Sequence, residues 1–323
     1  MKRPPAATPA TAEMVLRAAQ RRLAGAKLHY GHGTHSAHED AEWLVSHAFG
    51  LEPGELGRHL NETVTPARRR RIDALLDRRI RERVPAAYLT GQAWLGEFAF
   101  KVDRRVIVPR SFIAELLRDG LRPWMRRPVR RALDLCTGSG CLAVLLAHAF
   151  PRARIDATDI SRGSLAVAAA NVARYRLARR IRLMRGDLFD GLQGERFQVI
   201  VANPPYVTAR SMKRLPREHR HEPTLALGGG EDGLELVRRI LAGAHEHLSP
   251  DGVLVCEIGH NRVALERAYP RLPFTWLETS AGPEFVFLVE REHLTRANTA
   301  TAPQNNAARS RSSRGRPAAR AHG

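Results

Sequence analysis

The spacing of apolar positions changes character twice along the chain. It begins with helical steps. Met14, Val15, Ala18 and Leu23 mark one helix; Ala41, Trp43, Leu44 and Ala48 mark a second, opened by Glu39 and Asp40, acids that suit a helix N-terminus. A third starts at Pro66. Its Ile72, Leu75, Leu76, Ile80 and Val84 form one apolar stripe with arginines around it, until Pro85 ends the pattern. These segments predict a small helical unit over residues 12–90, after a Pro/Ala/Thr-rich flexible start at 1–11. In F-A-F-K-V-D-R-R-V-I-V the period shortens to two, which predicts a β-hairpin turning near D-R-R, within a linker at 91–109. From residue 110 to 292, strand and helix patterns alternate. Strands are expected at 132–136, 155–158, 181–184, 199–202 and 253–258, then at 274–278 and 285–289 around a Gly282-Pro283 turn. That order predicts an α/β fold: a mainly parallel, Rossmann-like sheet with helices on both faces and an antiparallel terminal strand.

Composition narrows the class. No apolar run approaches the ~20 residues of a membrane span, and M-K-R-P-P-A-A-T lacks the apolar core of a signal peptide. Cys136, Cys141 and Cys256 are an odd, widely spaced set that fits a reduced, cytoplasmic setting and matches no zinc spacing. The balance of 52 basic against 33 acidic residues gives a net charge of +19. It points to RNA or a ribonucleoprotein nearby, or to a solvated surface bias. Part of it lies in a tail at 293–323, rich in arginine and poor in large apolar residues, which is expected to be disordered. Arg68 to Arg71 read as an exposed helix face or an RNA contact. His32, His35 and His38 fall in a glycine-flanked loop without cysteine, and no metal is expected there.

The first strand of the α/β region breaks into T-G-S-G-C-L-A, a G-x-G-x-x-A pattern of Gly138, Gly140 and Ala143 where strand turns into helix. Glycine there tolerates positive φ and lets a ligand approach the backbone. Nineteen residues past Gly140, Asp159 closes the second strand, where an acid can accept from both ribose hydroxyls. NAD, FAD and S-adenosyl-L-methionine all suit such a sheet. Two acids favour adenosylmethionine. Asp134, four residues before Gly138, can orient the glycine turn or meet an ammonium group, and Asp187 in R-G-D-L-F can accept from an adenine amino group. The terminal hairpin strand also suits a methyltransferase sheet.

The fourth strand, F-Q-V-I-V-A, stops at Asn203-Pro204-Pro205-Tyr206. Two prolines have no N–H and a fixed φ, so they end the pairing and hold the strand's carboxyl end rigid. Methyl transfer to a planar amide or arylamine meets a delocalised, weakly nucleophilic nitrogen. A site accepting from both N–H groups favours pyramidalisation and stabilises the charge growing on nitrogen. Asn203 offers a side-chain carbonyl, Pro204 a backbone carbonyl held by Pro205, and Tyr206 a flat face. No general base is essential at transfer.

D-L-C-T-G-S-G followed by N-P-P-Y resembles the class I amino-methyltransferases acting on adenine, cytosine or glutamine amides. V-P-R-S at 108–111, H-E-P-T-L-A-L-G-G-G-E-D-G-L at 221–234 and E-I-G at 257–259 look like the glutamine-methyltransferase branch, which also carries an N-terminal helical domain. Y-G-H-G-T at 30–34, R-V-P-A-A-Y-L-T at 83–90 and P-F-T-W-L-E at 273–278 look like its ribosomal-protein members, which methylate a glutamine on the third protein of the large subunit. The resemblance covers roughly residues 14–292. It implies cofactor contacts from Cys136, Thr137, Gly138, Ser139 and Gly140, at Asp159, at Asp187 and Leu188 and at Asn203, with residues 203–206 gripping the glutamine. Three positions depart from the pattern: Phe112 stands in place of proline, His260-Asn261 in place of Asn-Ser, and Leu188 where release-factor enzymes tend to have tryptophan. The rival readings are a release-factor enzyme, a nucleic-acid amino-methyltransferase and a basic ribosome-assembly factor that merely retains the fold.

Overall fold

The computed structural model describes residues 10–125 and 127–295. Of the start expected to be flexible (1–11) and the tail expected to be disordered (293–323), residues 1–9 and those from 296 lie outside the described residues. The rest is ordered, with the Val64 N–H donating to the Ala10 carbonyl at 2.9 Å and Leu294 buried. Helices α1 (Ala12–Gly25), α2 (Ala37–Phe49), α3 (Pro66–Asp77) and the short α4 (Ala86–Thr90) come first. Local chemistry sets their ends. Thr11, Ser36 and Thr65 accept through their side chains from the first-turn N–H groups of α1, α2 and α3, Pro66 opens α3, and Gly50 closes α2 in the left-handed region. The stripes expected for α2 and α3 pack together; on α1 the buried face is Ala12, Val15, Ala19 and Leu23, while Met14 is 57% exposed. After Asp77 the helix widens into a π turn at Arg78–Glu82. The extra residue rotates the register, so Arg79 turns into the interior and Ile80 is only half-buried.

The linker corrects one expectation. The hairpin is β1 (Gln92–Leu95) against β2 (Phe98–Lys101), turning at Gly96-Glu97 and not at D-R-R. V-I-V is unpaired coil; the Val106 carbonyl accepts from the Tyr88 hydroxyl at 2.6 Å, which ties it to the helical unit. Gly96 supplies a positive φ (61°) at the turn, which the D-R-R stretch cannot offer without strain.

Beyond α5 (Ile113–Arg118) the strand–helix alternation holds: β3 (Arg131–Leu135), α6 (Cys141–Ala149), β4 (Arg154–Asp159), α7 (Arg162–Arg174), β5 (Ile181–Arg185) and β6 (Phe197–Ala202). Then come α8 (Ala209–Met212), α9 (Glu235–His247), β7 (Leu248–Glu257), α10 (Arg262–Ala268), β8 (Thr275–Leu277) and β9 (Val286–Glu290). The seven strands lie in the order β5-β4-β3-β6-β7-β9-β8, with β9 antiparallel to both its neighbours and every other pair parallel. β7 starts five residues earlier than expected, because Leu248 pairs with Phe197 before an irregularity lets Val253 pair with Val199. Successive residues of β6 feed opposite faces. Val199 and Val201 pack with α6, Ile200 and Ala202 with α9, so the strand reads as an unbroken apolar run. A third core joins α1–α3 to Val102, Val106, Val108 and Val167, which seats the helical unit against the linker and α7.

Candidate active site

The chain leaves β3 towards β4 on one side and later returns to β6 on the other, so the carboxyl ends of β3 and β6 splay apart. A cleft of about 260 Å³ opens there. Its floor carries Cys136 and Gly138 after β3, Asp159 at the end of β4, Asp187 and Leu188 after β5, and Asn203 and Pro205 after β6. Val106 and Ile107 of the linker and Pro223, Leu225 and Ala226 form facing walls.

Asp159 is held without being used up. Its Oδ2 accepts from the Gly138 N–H at 2.9 Å and its Oδ1 from the Ser161 N–H at 2.8 Å, which leaves each oxygen a further lone pair. Burial raises its pKa, against those two bonds. Asp134, Thr137, Ser139 and Gly140 are buried behind the glycine turn and do not line the cleft; they brace it. Thr137 donates its hydroxyl to Asp134 Oδ2 at 2.5 Å, and Asn171 Nδ2 donates to the Ser139 carbonyl at 2.8 Å. Asp134 Oδ1 has no partner, and burial, opposed by the Thr137 bond, pushes this carboxyl up to about 7. Cys136 (φ 57°) and Leu188 (φ 56°) take the left-handed backbone that disfavours side chains, at the two strand ends lining the cleft. Such strain costs roughly 1–3 kcal/mol per residue and persists only where surroundings enforce it; for Leu188, the Thr158 hydroxyl donates to its carbonyl at 3.0 Å. Asp187 reaches the cleft, but its Oδ2 also pairs with Arg239 at 3.0 Å.

Of residues 203–206, Asn203 and Pro205 line the cleft; Pro204 is buried between them and Tyr206 is half-buried next to Pro205. The Asn203 side-chain amide forms no hydrogen bond among the described residues. The wall itself is fixed from behind. The Tyr206 hydroxyl donates to Glu257 Oε1 at 3.4 Å, and Asn261 Nδ2 donates to the Tyr206 carbonyl at 2.9 Å. Two glycine-bearing loops close on it. A Cβ on Gly259 would sit 2.6 Å from the Tyr206 ring, and one on Gly229 would sit 2.7 Å from the Pro205 carbonyl oxygen, so E-I-G and G-G-G-E-D-G need glycine there for contact.

Two buried acids join these parts, Glu257 of E-I-G and Glu222 of H-E-P; the sequence places Glu222-Pro223 near the site but does not show the partners of either acid. Glu257 accepts from the Ser111 hydroxyl at 2.6 Å and the Phe112 N–H at 2.9 Å; burial, against those bonds, pushes it up to about 7. Glu222 takes a two-pronged contact from Arg110 at 2.6 and 2.9 Å and accepts from the Val108 N–H at 3.1 Å. Burial raises the Glu222 pKa, but His32 and Arg110 outweigh it and hold the carboxyl well below the usual range. The only signal available was an acid closing the apolar run V-L-V-C and another before a proline. Phe112 gives a bond that a proline could not, and Phe112 and His260 meet on the Phe285 ring, with centroids 5.3 and 4.7 Å away. His32, His35 and His38 do not gather: His32 is buried, the other two exposed.

A Rossmann-like sheet with a glycine turn after β3, an acid closing β4 and Asn-Pro-Pro-Tyr closing β6 defines a class I methyltransferase that uses S-adenosylmethionine. Residues 115–216 match the family model of the methyltransferase small domain, and residues 14–91 that of the PrmC N-terminal domain. The ribosomal protein uL3 glutamine methyltransferase of Neisseria meningitidis serogroup B is 55% identical over 282 residues, 87% of this chain and 93% of that protein. Its counterpart in Bordetella pertussis is 54% identical over 282 residues (87% and 95%), and that of Xanthomonas campestris 46% over 271 residues (83% and 87%). The chain belongs to the ribosomal protein uL3 glutamine methyltransferase family.

Proposed function

We propose that this chain transfers a methyl group from S-adenosylmethionine to the side-chain amide nitrogen of a glutamine in ribosomal protein uL3. The observation that carries the chemistry is Asn203: an amide without a partner among the described residues, on a proline-stiffened turn, at the edge of the cleft. The residues present fit the cofactor. Asp159 keeps lone pairs for two ribose hydroxyls, Gly138 presents bare backbone, and Ile107, Ile160 and Leu188 supply apolar walls for a base. When bound, the cofactor supplies an electrophilic methyl on a sulfonium.

The protein's part is positioning. Asn203 Oδ1 and the Pro204 carbonyl accept from the two amide hydrogens of the glutamine, which favours a pyramidal nitrogen and stabilises its growing positive charge. Tyr206, set by Glu257 and Gly259, gives the flat surface against which the amide rests. Pro204 and Pro205 hold these groups to the tolerance that near-attack geometry demands. Asp187 and Leu188 receive the adenine, and Cys136, Thr137, Ser139 and Gly140 shape the turn around the remainder of the cofactor. We assign residues 12–90 to substrate recognition, 91–109 to the linker and 110–292 to catalysis, in a cytoplasmic setting. Among the described residues no helix is long and apolar enough to cross a membrane. We assign contacts to ribosomal RNA to a separate cleft at the amino ends of β3–β5, where Arg154, Arg179 and Arg180 stand beside Arg131 and Arg182, the last two paired with Asp156 and Glu195.

The test is transfer of labelled methyl from adenosylmethionine to purified uL3, to release factor and to nucleic acid, with free uL3 compared with uL3 in assembling subunits. Label on a uL3 glutamine is expected, and loss of about a hundredfold in turnover for Asn203→Ala. Label on release factor or on bases instead of uL3 overturns the substrate. Undiminished turnover by Asn203→Ala overturns the mechanism.

A further inference from the structure

Where the helical unit meets the loop after β6, the structure buries three side chains whose chemistry the methyl transfer does not use. His32 comes from the loop between α1 and α2; His219 and Glu222 come from the segment at and after Arg217–His221. His32 is 3% exposed, and neither of its ring nitrogens has a hydrogen-bonding partner; Nδ1 of His219 is likewise buried and unpartnered. Buried polar atoms are normally satisfied, yet Nδ1 of His32 and Nδ1 of His219 have no partner and Nε2 of His32 faces only the Glu222 carboxylate at 3.4 Å, which requires an explanation.

We propose that His32, His219 and Glu222 form a binding site for a divalent transition-metal cation of the Zn²⁺ type. One ligand atom from each of the three lies within 4.8 Å of the others. Around a tetrahedral zinc with bonds of about 2.0 Å, ligand atoms stand about 3.3 Å apart. His32 Nε2 is already 3.4 Å from Glu222 Oε2, and the rings of His32 and His219 are 4.4 Å apart at 61°, so a modest closure of His219 completes the set. Two imidazoles and one carboxylate select zinc, cobalt or nickel over magnesium or calcium. The protonation states agree. Burial and the neighbouring His32 push His219 down to about 4, leaving it a neutral donor, while Glu222 is ionised. Arg110 on the same carboxylate lowers cation affinity by repulsion but holds the carboxylate in place, as partners beyond the ligands commonly do. His29, with its ring 5.2 Å from that of His219, or a water supplies the fourth ligand. Pro223, Leu225 and Ala226 follow directly and line the cofactor cleft, so the cation would pin one wall of that cleft to the helical unit.

The experiment uses the untagged full chain, stripped with chelator and titrated with Zn²⁺ by equilibrium dialysis and with Co²⁺ by visible absorption. The site predicts one tight Zn²⁺ per chain, a tetrahedral Co²⁺ spectrum and a rise in Tm with Zn²⁺. His32→Gln and His219→Gln should each weaken binding at least tenfold, while His35→Gln and His38→Gln, on exposed neighbours, should leave it unchanged. Should a variant fail to fold, the wild-type spectrum and stoichiometry decide alone. Absence of a tight equivalent in the wild type, or equal binding by folded His32→Gln or His219→Gln protein, overturns the proposal.

Discussion

At the scale of single residues, the acids divide by what burial does to them. Asp134 and Glu257 have their pKa raised to about 7 from reference values of 3.8 and 4.5, so the folded chain holds two protons that the unfolded chain has released. Stability therefore falls as pH rises from about 4.5 to about 7 through these groups. Glu222 is depressed and acts oppositely: its contribution is present above the ordinary carboxylate range and is lost as pH falls below it. Asp134→Asn and Glu257→Gln should thus flatten the decline of Tm between pH 5 and 7; an unchanged slope in both would refute the assignment. Asp134 was legible in sequence because it sits before a glycine turn. For Glu257 and Glu222 the motifs marked the stretch but not the role, because their partners, Ser111 and Arg110, lie more than a hundred positions away along the chain.

Elements were legible where one period persisted. All seven strands of the large sheet fall on the expected stretches, β7 beginning five residues early, and central strands such as β6, buried on both faces, leave an unbroken apolar signature. The hairpin turn was misplaced because V-I-V has a strand's composition but serves as cleft wall, with its fate decided by tertiary contacts. The π turn after α3 was invisible for a related reason. It converts Arg79, which looked like one more surface arginine, into a 2%-exposed ion-pair partner, with Nε 2.6 Å from Asp40 and Nη1 3.5 Å from Glu218. Arg79→Ala leaves Asp40 buried without its cation, while Glu218 keeps Arg83 at 3.6 Å, and should lower stability to urea by about 3–5 kcal/mol. Combining it with Asp40→Asn should recover part of that loss. A single variant within about 0.5 kcal/mol of wild type would show that the pair is not structurally required.

Across the whole molecule, one segment couples the parts. The stretch at 217–222 meets the helical unit through Glu218 and the His29 N–H (3.0 Å) and through His221 and the Glu82 carbonyl (2.9 Å), and meets the linker through Glu222 and the Val108 N–H (3.1 Å). It lies between the Asn-Pro-Pro-Tyr turn and Pro223 of the cleft wall, so a protein docked on the helical unit would bear on the acceptor site through it. Sequence motifs marked both ends of this connection without showing that they touch. The central claim is that Asn203 and the Pro204 carbonyl together hold the two hydrogens of a glutamine amide. A crystal structure with S-adenosylhomocysteine and a glutamine-containing uL3 peptide tests it most directly. The amide nitrogen should lie within hydrogen-bonding distance of both oxygens and in line with the cofactor sulfur. An Asn203 side chain turned away, with another group cradling the amide, would contradict the account.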